Sequence, residues 1–134
     1  MALLQVNTYS VALSRIITFH IILPNDTQPE ILADNPYYKR QVKTLYLLHG
    51  FSGSTQDWLT GSLIQDIAVR YNLAVVMPAG ENSFYLNGKG TGRRYETFTA
   101  EELPDYCQKT FGLSADPEDN FIGGLSCLVF KGMN

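Results

Sequence analysis

Hydrophobic and polar positions alternate loosely over residues 5–11, and residues 15–23 (RIITFHIIL) are rich in β-branched side chains up to the turn cluster Pro24-Asn25-Asp26. A period of two with polar side chains interspersed predicts strands with one face toward solvent, so both are read as outer, partly solvated strands, with His20 a surface or edge residue. Residues 26–41 carry Pro29, Pro36 and the run Tyr37-Tyr38-Lys39-Arg40, the composition of a surface loop. The pattern then changes. KTLYLL at 43–48, LAVVM at 73–77 and FIGGL at 121–125 are short apolar runs with little alternation. Such runs predict central strands covered on both faces.

The intervening segments have a different period. Leu63, Ile64, Ile67 and Ala68 recur at spacings of three and four and predict an amphipathic helix over 59–71. Residues 79–94, rich in Gly, Asn and Ser, read as a long loop. Residues 95–111 are predicted helical, with Phe98, Leu103, Tyr106 and Phe111 on the apolar side and Pro104 confined to a first turn or marking a kink. Residues 112–120 form a turn before the last strand. Strand, helix, strand, helix, strand in this order predicts an α/β fold: a parallel central sheet preceded by antiparallel N-terminal edge strands, in one domain.

Composition narrows the function. A chain of 134 residues, 45% hydrophobic and 17% charged, can bury a core of its own. A net charge of -3 and the absence of a basic stripe give no reason to expect nucleic acid. No stretch approaches the ~18 apolar residues of a membrane helix, and the N-terminus lacks a positive n-region, so no membrane and no leader are expected and the cytoplasm is the default. Cys107 and Cys127 form no framework spacing and are expected as free thiols. Two histidines, His20 and His49, without paired acidic ligands argue against a metal site, and no cofactor is expected.

In an open α/β sheet, ligands collect beyond the carboxyl ends of the strands. Three features fall there: His49-Gly50-Phe51-Ser52-Gly53 after the first central run, Pro78-Ala79-Gly80 after the second, and Gly124-Leu125-Ser126-Cys127-Leu128 after the third. The last is four-fifths of G-x-S-x-G, the bend that exposes a nucleophilic serine between a strand and a helix. Ser126 also suits a plain helix N-cap, and the preceding buried strand and the His-Gly turn favour the catalytic reading. His49, at a strand end, reads as fixing its loop rather than as a general base. Asn87-Gly88-Lys89-Gly90-Thr91-Gly92 has Ser83 and Gly90 where a phosphate loop needs Gly and Ser or Thr, and reads as a rim loop.

KTLYLLHGFSGSTQDWL, NLAVVMPAGENSFY, YETFTAEELPDYCQKTFG and NFIGGLS occur in the order and at the distances of the esterase D-like branch of the α/β-hydrolases. The chain resembles that branch from about Val6 to Ser126, as the N-terminal portion of a single α/β-hydrolase domain, the fold incomplete within 1–134. The branch takes in bacterial tributyrin and acetyl esterases and S-formylglutathione hydrolases. The resemblance implies a serine carboxylesterase acting on small-molecule, short-chain acyl esters through an acyl-enzyme, without a cofactor. It makes Ser126 the nucleophile, the N–H groups of Phe51 and Cys127 the oxyanion hole, and His49, Gly50, Gly53, Trp58 and Gly124 supporting residues.

Two departures qualify what it implies. The family continues G-L-S-M-G-G, where this chain has Cys127, Leu128 and Val129, so Leu128 stands at the second elbow glycine. The family's Asp and His triad members lie in a later half, and the tail after Ser126 reads as a shifted frame or a truncated gene. An inactive half-hydrolase or binding module is therefore the alternative from another class, and acyl transfer or S-formylglutathione hydrolysis the alternatives within the family. Absent strands would leave a sheet edge open to homo-oligomer formation.

Overall fold

The computed structural model describes residues 1–48, 63–78 and 97–124. Its centre is a five-stranded sheet of β1 (Ala2–Ser10), β2 (Arg15–Leu23), β3 (Lys43–Leu48), β4 (Leu73–Met77) and β5 (Asn120–Gly124), in the order β1-β2-β4-β3-β5. β1 and β2 form an antiparallel hairpin in register from Ala2 opposite Leu23 to Ser10 opposite Arg15. β2 joins β4 antiparallel, and β3 lies between β4 and β5, parallel to both. The three continuous apolar runs are thus the parallel strands, and the β-branched N-terminal segments the antiparallel ones, as their patterns predict.

Each face of the sheet has its own cover. On one face Phe19, Ile21, Tyr46, Ala74 and Val76 pack against Phe98, Leu103 and Cys107. These last three belong to a π-helical turn, Phe98–Glu102, and the helix that continues it, α3 (Leu103–Phe111). On the other face Ile22, Leu47, Val75 and Met77 pack against Ile64 and Ala68 of α2 (Ile64–Tyr71). Helices on both faces explain why β3 and β4 have no polar side.

Pro104 explains the π turn. It has no N–H to donate to the carbonyl four residues back, and the Leu103 N–H bonds instead to the Phe98 carbonyl five residues back. Beyond it, Tyr106 packs edge-on against Phe19 at 5.9 Å and Phe111 at 6.4 Å between ring centroids. Gly112, at φ 67°, ends α3 in the left-handed conformation that suits glycine. The expected helix is therefore present but interrupted in kind at its start.

Three expectations need correction. β2 is not an outer strand: it lies second in the sheet, its residues from Phe19 to Ile22 are buried, and His20 is only 7% exposed. Its polar character belongs to Arg15 and Thr18, in the half that runs past β4, because pairing with β4 covers only His20–Ile22. On α2, only Ile64 and Ala68 face the sheet, whereas Leu63 and Ile67 are 72% and 40% exposed. An i, i+4 pair suffices to fill the contact of so short a helix, and its neighbours turn to the flank.

The third correction concerns residues 26–41. They contain a short helix, α1 (Pro29–Leu32), and a 3-10 turn, Pro36–Lys39, and they cap α2. Tyr38 Oη donates to the Val69 carbonyl, Asn35 Nδ2 to that of Arg70 at 3.0 Å, and Arg40 Nη2 to that of Tyr71 at 2.8 Å. Three terminal carbonyls of an eight-residue helix, marginal on its own, thereby gain donors. Asn72 follows at φ 53°, buried, donating from Nδ2 to the carbonyls of Tyr37 (3.0 Å) and Arg40 (3.2 Å). It both turns the chain into β4 and ties that turn to the capping segment.

Candidate active site

The parallel strands end together. Leu48, the last residue of β3, is the register partner of Gly124, the last of β5, and β4 ends beside them at Met77. Neighbouring strands lie about 4.8 Å apart, so the described ends of β3 and β5 are adjacent points on the carboxyl edge of the sheet. From Leu48 the sequence enters His49-Gly50-Phe51-Ser52-Gly53, and from Gly124 it reaches Ser126 in two residues. This is the edge at which an open α/β sheet collects ligands.

The opposite ends of β3 and β5 are clamped. Asp119, buried at the start of β5, accepts hydrogen bonds at Oδ2 from Gln41 Nε2 and Ser114 Oγ, both at 2.7 Å. Lys43 Nζ stands 4.0 Å from Asp119 Oδ1 and 5.7 Å from the centre of the Phe121 ring. Asn120 Nδ2 donates to the carbonyls of Ser114 (3.0 Å) and Asp116 (2.7 Å), holding the turn that feeds the strand. These contacts fix the register of β5 on β3, and register decides which residues of the two strands stand opposite each other at their carboxyl ends. Composition gave no hint of them, since Gln41 lies 78 residues from Asp119 in sequence. Within β5, Gly123 sits against Leu45 and Leu47, whose Cδ1 atoms would each lie 3.7 Å from an added Cβ.

Of the residues singled out in the sequence, the structure describes Gly124, at the end of β5. Ser126, Cys127, His49, Gly50, Phe51, Gly53 and Trp58 lie outside the described residues, as does the glycine-rich stretch 79–94. His20 is placed within the sheet. It sits inside β2 with Gln5 and Met77 as register partners, its Nδ1 has no hydrogen-bond partner, and burial holds its imidazole below the usual histidine range. Cys107 is a buried free thiol in α3, pushed up to about 12 by burial, and it has the character of a core residue, not a nucleophile. Burial first, and the neighbouring Cys107 second, raise the Tyr46 phenol far above its ordinary value.

Elsewhere, an open cleft of about 490 Å³ is lined by Asp26, Gln28, Ile31, Asp66, Val69 and Arg70. It lies beside the C-terminal half of α2, toward the amino ends of the parallel strands, and so is remote from the carboxyl edge. Among the described residues, no three His, Cys, Asp or Glu side chains come together as a metal site, and no helix is long and apolar enough to cross a membrane.

Comparison with known proteins agrees with this architecture. An acetyl esterase of Caldicellulosiruptor saccharolyticus is 40% identical over 126 residues, 94% of this chain and 47% of that protein. FphF, a fluorophosphonate-binding serine hydrolase of Staphylococcus aureus solved with substrate bound, superposes with a TM-score of 0.74 at 30% identity, over 92% of this chain and 46% of its own. The S-formylglutathione hydrolase FrmB of the same organism gives 0.73 at 31% identity, over 92% and 46%. The chain therefore spans about half the length of the relatives it matches. Residues 10–127 match the family model Esterase, described as "Putative esterase". A sheet in the order β1-β2-β4-β3-β5, with the sequence Gly-Leu-Ser running from the last residue of β5, thus belongs to a chain of the Esterase family, within the α/β-hydrolases.

Proposed function

We propose that this chain supplies the nucleophile half of a serine carboxylesterase for short-chain acyl esters. The observation that carries the reading is the common end of β3 and β5 at Leu48 and Gly124, with HGFSG and LS following on adjacent parallel strands. In the reaction, Ser126 Oγ attacks the ester carbonyl carbon and its proton passes to a general base. The carbonyl oxygen becomes an oxyanion, for which the N–H groups of Phe51 and Cys127 are the donors, and such donors act at ~2.7–3.1 Å. Collapse expels the alcohol and leaves Ser126 acylated; water then releases the acid by the reverse sequence.

The base is the part that this reading does not draw from residues 1–124. The chain has two histidines. His20 is buried within β2, and His49 directly follows β3 in sequence, two positions before Phe51. A serine without a base is a weak nucleophile at neutral pH, which favours a second reading for the isolated chain: a folded, catalytically silent half-hydrolase.

One experiment separates the two. Residues 1–126 replace the matching half of the Caldicellulosiruptor acetyl esterase, and p-nitrophenyl acetate and butyrate turnover is followed beside that of the isolated chain. The chimera turns over both esters and loses at least about a thousandfold on Ser126→Ala, in line with nucleophile removal in serine hydrolases. The isolated chain gives equal background rates with and without Ser126. A folded chimera without activity, or one indifferent to Ser126→Ala, overturns the esterase role; robust Ser126-dependent turnover by the isolated chain overturns the silent reading.

A further inference from the structure

β1 forms one border of the sheet, and among the described residues no strand pairs with its outer edge. It is an unusual border. Edge strands of monomers are commonly short, charged, bulged or interrupted by proline, because an open ladder of N–H and C=O groups invites another strand. β1 is nine residues long, and ALLQVNTYS contains no charged residue and no proline. Its register with β2 runs unbroken through nine pairs, without a bulge. On the face that α2 leaves uncovered here, Leu3, Gln5, Asn7 and Tyr9 are exposed, Leu3 by 44% and Tyr9 by 57%.

We propose that this edge is the interface with a second copy of the chain, β1 pairing antiparallel with β1 to give one sheet continuous across both copies. Symmetry supplies the argument. A two-fold axis perpendicular to the sheet joins two identical edges antiparallel and keeps like faces on the same side, so it must pass through a residue facing itself. About Val6 all nine residues are used. Leu3 then faces Tyr9 twice, and Gln5 faces Asn7 twice between them. The two exposed apolar side chains of each strand meet each other across the axis, and the two amides meet in the middle. On the opposite face Leu4 faces Thr8 and Val6 faces Val6, extending the partly buried row that already packs on the core. Cross-strand aliphatic–aromatic pairs are a stabilising unit of sheets, and no like charges are brought together. Moving the axis to Gln5 places Leu3 opposite Asn7 and sets Tyr9 opposite Met1, which lies outside β1 with its amino group held by Asp26. The strand is thus complementary to itself in one register, which commits it to its own copy before any other protein.

The test is a charge swap at two exposed positions, leaving the Val6 contact intact. Sedimentation equilibrium of the 134-residue chain gives a dimer mass, and Leu3→Lys with Tyr9→Lys, which sets lysines face to face twice, raises the dissociation constant at least about tenfold (about 1.4 kcal/mol). Leu3→Lys with Tyr9→Glu sets opposite charges face to face and restores dimerisation, more strongly at low salt. Far-ultraviolet circular dichroism shows that both variants keep the fold. A monomeric wild-type chain overturns the proposal, as does any assembly indifferent to the double-lysine variant or not recovered by the lysine–glutamate pair.

Discussion

Asn72 joins α2 to β4, and three substitutions there divide its contribution into parts. In the native structure it holds φ at 53° and donates from Nδ2 to the carbonyls of Tyr37 and Arg40 while 6% exposed. Asn72→Ala removes both bonds, each contributing about 1 kcal/mol net. It also places a Cβ in the left-handed region without the local hydrogen bonding that lets asparagine tolerate it, at a cost of about 1 kcal/mol. The expected loss is about 3 kcal/mol, a large fraction of the 5–15 kcal/mol that holds a typical domain together. Asn72→Gly loses the same bonds and none of the backbone freedom, so it falls by about 2 kcal/mol. Asn72→Asp keeps the tolerance for positive φ but turns a donor pair into a carboxylate facing two carbonyl oxygens, and ranks with alanine or below it. Urea unfolding followed by circular dichroism reads the series. With m of about 2 kcal/mol/M, the alanine midpoint lies about 1.5 M below wild type and the glycine midpoint about 1 M below. Alanine equal to or above glycine would refute the backbone argument, and both variants within about 0.3 M of wild type would refute the capping argument as well.

Burial lowers the His20 pKa in the folded chain, so the unfolded chain binds the extra proton first as pH falls. Stability is therefore flat above the unfolded value of 6.5 and declines below it, and His20→Gln removes part of that decline in urea midpoints taken between pH 7.5 and 5. An unchanged slope in the variant would show that other groups carry the acid sensitivity. Cys107, pushed up to about 12 by burial, does not react with Ellman's reagent at pH 8 in the folded chain and reacts fully in urea; comparison with Cys107→Ala assigns the signal.

How much of this was legible in the sequence depends on the range of the interaction. Apolar continuity in KTLYLL, LAVVM and FIGG marked the parallel strands correctly because strands under helices on both faces have no polar side to show. The same rule failed for β2. Arg15, Thr18 and His20 gave it the look of an outer strand, yet the first two lie in the half beyond β4 and the third is buried beside Met77. Pro104 carried the right local warning, and the structure answered it with a π turn. The capping of α2 by Asn35, Tyr38 and Arg40, and the Asp119 clamp, bring together residues roughly 30 to 80 positions apart. No periodicity encodes such contacts. Of the candidate site, the strand ends are described and agree with the sequence, whereas the serine bend and the His-Gly turn lie outside the described residues.

The link between the hairpin tip and the π turn has a consequence for synthesis. Ala12 and Leu13 are buried at the tip, and the Ala12 N–H donates to Glu102 Oε2 at 2.9 Å, across a separation of 90 residues. A ribosome adding about 5–20 residues per second needs roughly 5 to 18 seconds to deliver that carboxylate after the hairpin has been made. Through that interval the tip's apolar side chains wait without their cover, and an isolated two-stranded hairpin is at best marginally stable in water. Residues near Glu102 thus govern when the first twenty-odd become resistant to proteolysis on the nascent chain, and chaperone engagement should end as Glu102 clears the exit tunnel.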